Sequence, residues 1–144
     1  MNTSDYQNID LNEVVKNAGF YLRDVENGIR EFGYSQQEMA DSILGIVCCT
    51  VLMGNHVTRK KYQFVNELLG LETDYLNFGF LVGQYGDITG KYSRSTFKSY
   101  VEPFYSSKKI IGKINMLMLA VASSDGYLPD EALMEMIKMV NKSL

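Results

Sequence analysis

Three groups of side chains in this 144-residue sequence have the types and spacing to do chemistry. The first is the acidic turn Ser124-Asp125-Gly126-Tyr127-Leu128-Pro129-Asp130-Glu131. Asp125 and Glu131 are oxygen donors of the kind hard divalent cations take, and they are the candidate metal ligands. Such ions want six or more oxygens, and one turn offers few. The same residues also have a plain structural use. Gly126 suits a positive φ behind a helix end, Asp125 can accept backbone N–H bonds, and Leu128 plugs the junction. Asp130 and Glu131 favour the first turn of a following helix through its dipole. An EF-hand is excluded, because placing Gly126 at the sixth loop position puts Val121 first and Ala132 last, where carboxylates are required.

The second group is Cys48-Cys49 with the single histidine, His56. A vicinal dithiol can capture oxyanions of soft elements. Helical neighbours point about 100° apart, so these cysteines do not suit a structural disulfide, and free cysteines also serve as small core hydrophobes. No Cys or Ser elbow accompanies His56, so no catalytic triad can be assembled. Gly79, Gly83, Gly86 and Gly90 do not make a phosphate loop, since Gly90-Lys91 runs into Tyr92 and no strand precedes it.

The third group is cationic. Residues 1–41 carry eight acids against three bases, whereas residues 42–110 carry eight bases against five acids. The bases fall as Arg59-Lys60-Lys61, Lys91/Arg94/Lys98 and Lys108-Lys109, interleaved with Tyr62, Tyr92, Tyr100 and Tyr105. An aromatic-basic face suits an acidic protein, a phosphate or an anionic membrane surface, and a solvated helix face gives the same pattern. The candidate partner-binding residues are Arg59, Lys60, Lys61, Tyr62, Lys91, Tyr92, Arg94 and Lys98. A whole-chain charge of −3 argues against a general nucleic-acid binder, which needs a basic footprint.

The elements that must position these groups read as helices. Hydrophobic residues are 46% and charged residues 22%, with only two prolines and eight methionines, the balance of a globular helical chain. After a polar tail over residues 1–9, an apolar stripe from Leu11 to Phe32 predicts one long amphipathic helix, capped by Asp10 and stopped at Gly33. Ser35-Gln36-Gln37-Glu38 is a capping box opening a second helix through Val51 to Gly54. A third runs from about Thr58 to Leu69. Tyr75–Gln84 reads as a short, closely packed helix despite its two glycines, and Ser95 to Glu102 as another, ended by Pro103. Ser107–Ser123 is apolar on most sides and is the expected buried central helix. Pro129 suits the first turn of a last helix bearing Leu133, Met136, Ile137 and Val140.

A shift of 71 residues overlays Cys49-Thr50-Val51 on Ala120-Val121-Ala122, Val57 on Leu128, Tyr62 on Leu133, Val65 on Met136 and Leu68 on Met139. Both stretches read as an apolar helix, a tight polar turn and an amphipathic helix, so two such pairs would bury their apolar faces on one another. The second copy resembles the TerB-like family, named for tellurite-resistance proteins and also found in a DnaJ-like co-chaperone. That family's pattern is an apolar helix ending in Ala-Asp-Gly, then an aliphatic residue and a Glu. Asp125-Gly126, Leu128 and Glu131 match it, while Ser124 replaces the usual Ala. In the first copy, Gly54 and Lys60 stand where the Asp and Glu belong, so the acidic signature is lost there. The likeness is carried by residues 117–140. It implies an all-α bundle with two repeats, and the acidic turn of the second copy is where the family would hold a divalent cation.

These readings converge on a single all-α domain over residues 10–144, of six or seven helices, built from two pseudo-repeated helical hairpins around the Ile110–Val121 stretch. No nucleophile–base pair or complete metal set can be assembled, so enzyme activity is not expected. The expected function is a TerB-like interaction module, an adaptor in stress response or defence, acting on a protein partner. Two alternatives stand beside it: a small inhibitor or immunity protein that blocks a toxin or enzyme, and a divalent-cation sensor. No cofactor is otherwise implied. The first residues lack the basic and apolar regions of a secretory signal, and the longest apolar run, Met116–Ala122, is far short of the roughly 18 residues a spanning helix needs. With cysteines unsuited to pairing, a cytoplasmic setting is expected.

Overall fold

The computed structural model describes residues 8–54 and 57–144. His56 and most of the polar tail lie outside the described residues. Among those residues the chain forms eight α-helices and no strand, an all-α fold. Six of the eight begin where a short polar side chain takes up a free N–H group of the first turn.

Asp10 accepts the amide N–H groups of Asn12 and Glu13 and opens α1, Leu11–Lys16. α2, Ala18–Glu31, follows after one residue. The long helix expected from the apolar stripe is therefore broken at Asn17, whose φ of −93° and ψ of 10° leave the helical region. Its side-chain amide folds back to donate to the Glu13 carbonyl at 2.9 Å, and its own carbonyl accepts from Phe20 and Tyr21 to start the next helix. The break adds one helix to the expected number.

α3, Gln36–Leu52, carries the full capping box, with Ser35 Oγ accepting from the Glu38 amide and Glu38 from the Ser35 amide. α4, Arg59–Leu69, opens at Thr58 and ends at Gly70 in the left-handed conformation. α5, Tyr75–Tyr85, opens at Asp74. Neither of its glycines marks a close approach: nothing lies within 4 Å of where a Gly79 Cβ would stand, and a Gly83 Cβ would meet the Ile88 Cα at an ordinary 3.9 Å. Phe78 and Val82 are its buried residues, while Leu76 and Phe80 stand in solvent.

α6, Arg94–Val101, opens at Ser93 and runs into a single 3₁₀ turn, Glu102–Phe104. Glu102 keeps helical dihedrals (φ −53°, ψ −41°) although Pro103 follows it. The tighter turn thus absorbs a proline expected to end the helix. α7, Lys108–Ala122, opens at Ser107, and α8, Asp130–Lys142, opens at Pro129.

α7 is the axis of the molecule, as its apolar character requires. α1, α2, α3, α4 and α8 all pack against it, while α5 and α6 lie on α3. Ten of its fifteen residues are buried, and the buried apolar side chains of the helices form one continuous cluster. The repeat survives in the element boundaries. Thr58 and Pro129, the caps of α4 and α8, are 71 residues apart, and the matched Val65 and Met136 are both fully buried. Packing separates the two copies, however. α8 folds back along α7 as a hairpin, whereas α4 rests on α5 and α7 rather than on α3.

Candidate functional site: a cationic groove between α6 and α8

The sequence-predicted bases divide between two places. Arg94 and Lys98 stand one turn apart on α6, about 6 Å along the axis, and form one wall of an open groove. The opposite wall is α8, whose Lys138 and Lys142 repeat the same spacing. The groove has a volume of about 570 Å³, within the range of ligand-holding clefts. Its floor is apolar: Phe97 and Met139 are buried, and Tyr105 is half-buried beside them.

One carboxylate holds the two walls together. Glu135, buried on α8, lies 3.4 Å from Arg94 Nε and 3.7 Å from Lys138 Nζ. Among the described residues, Lys98 and Lys142 have no carboxylate within ion-pair distance. Tyr92 is placed differently from expectation. Its ring packs toward Phe97 and its hydroxyl is buried, so it supports the groove from behind rather than facing a partner. Burial first, and then the charge of Glu135, push that phenol well above its usual range. Burial and the nearby Glu102 and Glu135 carboxylates likewise raise Tyr105, against a smaller opposing effect of Arg94. Both phenols therefore stay neutral, and Tyr105, which lines the groove, presents an apolar ring with a weak polar edge.

Sequence reasoning missed Lys138 and Lys142. Their i, i+4 spacing was visible, but nothing in the order of residues says that α8 lies beside α6. Lys91 is exposed just before α6, but it is not among the groove-lining residues.

The other bases go elsewhere. Arg59 and Lys60 are exposed at the start of α4, with the Arg59 guanidinium 4.6 Å from the centre of the Tyr75 ring. Tyr62 is half-buried, donates its hydroxyl proton to the Thr73 carbonyl at 2.5 Å and packs on Tyr75 and Phe78. Lys61 corrects the expected surface patch: its side chain is 1% exposed and its Nζ lies 3.8 Å from Asp125 Oδ2. The physical reason is register, since Lys61 falls on the inner face of α4 where the second copy has the fully buried Ala132.

Asp125 and Glu131 form a joint between the two interhelical turns. Asp125 accepts the Thr58 hydroxyl at 2.8 Å and 3.0 Å, and Glu131 accepts the Gly54 amide at 3.3 Å. Gly54 in turn lies against Pro129: with φ at 94°, a Cβ there would come within 2.7 Å of the proline Cγ. Shifting the Thr58–Asp125 contact by 71 residues gives the Gly54–Pro129 contact, so the two turns cross as a pseudo-two-fold pair. Gly126, at φ 98°, has the positive φ expected of it. Among the described residues no group of three His, Cys, Asp or Glu side chains is placed to hold a metal ion.

Cys48 and Cys49 are both buried in α3, and burial pushes each thiol up to about 12. As neutral thiols walled off from water they lack the thiolate character that dithiol chemistry needs. No helix among the described residues is long and apolar enough to cross a membrane. In comparisons with known proteins, the chain matches no family model, no curated protein and no solved structure.

Proposed function

We propose that this chain is a non-enzymatic protein-interaction module, a cytoplasmic adaptor of the TerB-like type, that receives an acidic partner in the groove between α6 and α8. The observation that carries this reading is the groove itself. Four cationic side chains line it against one lining carboxylate, Glu135, which engages only Arg94 and Lys138, in a chain whose net charge is −3. Concentrating positive charge against the sign of the whole chain steers an acidic partner to one face and suppresses docking elsewhere. The likeness of residues 117–140 to the TerB-like signature supports the adaptor reading and its setting in stress response or defence.

The test is affinity capture from the native host with wild type and with the Lys98→Glu/Lys142→Glu variant, at low and high salt. Both lysines are at the rim, so the variant should keep its helical circular-dichroism signal and its melting point. A partner held by wild type, weakened by salt and lost from the variant is the expected result. A partner retained equally by the variant would move the docking surface elsewhere. The inhibitor reading predicts something different: a stoichiometric complex that abolishes the activity of one toxin or enzyme.

A further inference from the structure

We infer that the groove takes an acidic–apolar segment of the partner chain, one in which carboxylates flank a large apolar side chain. This rests on the reading of the groove as the docking site and names what docks there. The inner cations, Arg94 and Lys138, are already engaged by Glu135. One turn further along each helix, Lys98 and Lys142 have no counter-charge among the described residues, although both line the same cleft. The cleft therefore offers two free ammonium groups, one per wall, with the half-buried Tyr105 ring and the aliphatic stems of the basic side chains between them, over the buried Phe97 and Met139.

Each simpler occupant leaves half of that surface unused. A small inorganic anion would meet the lysines and leave the Tyr105 ring and the lysine stems wet. A purely apolar segment would cover the floor and leave two ammonium groups facing it across a partly desolvated rim. A segment with acids on both sides of a Leu or Phe satisfies both, its carboxylates one to each wall and its apolar side chain on the floor. Glu135 shows the arrangement from within, since its carboxylate already bridges a cation from each helix. Because the groove is open and the lysines are solvated, the charge contribution should be modest and sensitive to salt.

The experiment is fluorescence anisotropy of the full chain with a short labelled peptide built on Glu-Leu-Glu triplets. Controls are the same peptide with Gln for Glu, the same peptide with Ser for Leu, and inorganic phosphate as competitor. Binding of the acidic–apolar peptide alone, about five- to tenfold weaker for each of Lys98→Glu and Lys142→Glu and retained in Lys142→Arg, is the expected result. Equal binding of the Gln peptide or the Ser peptide would overturn the inference. Displacement of the peptide by inorganic phosphate at concentrations near those of the protein would overturn it in favour of a phosphoryl ligand. Failure of the peptide while host-partner capture still depends on Lys98 and Lys142 would remove this inference and leave the docking site standing. Capture that ignores both lysines would remove the docking site itself.

Discussion

Lys61 shows how one residue can be read correctly by type and wrongly by place. It sits in a run of three bases, yet its ammonium is enclosed with the Asp125 carboxylate beside it. Burial lowers its pKa, and the raising effect of Asp125 does not restore it. The pair is therefore net unfavourable for the charged lysine, which fixes the sign of two substitutions. Lys61→Met keeps the packed stem but leaves the enclosed Asp125 carboxylate with the Thr58 hydroxyl alone, so it too should be destabilising, by less than the loss of Asp125 because that carboxylate keeps a donor. Asp125→Ala removes the counter-charge and the Thr58 acceptor together, and should cost about 3–5 kcal/mol. Adding Lys61→Met to Asp125→Ala should recover most of that loss. Urea melts of the three variants decide it. A near-neutral Asp125→Ala would mean that the Lys61 ammonium reaches water.

At the scale of helices, α3 and α6 meet at a glycine. A Cβ on Gly45 would lie 2.2–2.4 Å from three atoms of the Tyr100 ring, and that ring is held by its hydroxyl donating to the Tyr85 carbonyl at 2.8 Å. Gly45→Ala gains about 1 kcal/mol in helix propensity. It must also displace an anchored aromatic ring, at about 1–3 kcal/mol for overpacking and about 1 kcal/mol for the lost hydrogen bond. The steric cost exceeds the propensity gain, so the variant should be less stable by about 1–3 kcal/mol, and Tyr100→Ala in the same chain should remove the clash. A Gly45→Ala protein melting above wild type would show that the two helices can part without cost. Helix starts of this kind were legible in the sequence because they are local: Asp10, Ser35, Thr58 and Ser107 cap within three residues of themselves. The break at Asn17 was not legible, since an asparagine there fits a continuous helix equally well until its side chain turns back. In the groove, Arg94 and Lys98 could be found from their spacing, but their partners on α8 come from tertiary packing, which spacing along one helix does not encode.

For the molecule as a whole, the packing of the helices around α3 and α7 buries titratable groups that ordinarily meet water. Cys48 and Cys49 are pushed up to about 12 from their usual value near 9. Burial also raises Tyr85, Tyr92, Tyr100 and Tyr105. In the unfolded chain the thiols lose their protons from about pH 9 and the phenols from about pH 10, while the folded state still holds them. The folded state then binds more protons, so stability is fully present below pH 9 and falls as pH rises through the folded values. By about pH 10.5 each thiol accounts for a loss of about 2 kcal/mol, a large share of the 5–15 kcal/mol typical of a domain. Urea midpoints should hold steady up to about pH 8.5 and drop steeply by pH 10.5. The Cys48→Ala/Cys49→Ala variant should begin lower, having lost buried volume, and should fall less over the same interval because only the phenols remain to titrate. Parallel pH profiles for the two proteins would mean that the thiols ionise as easily folded as unfolded, and that α3 is not sealed from solvent by the helices around it.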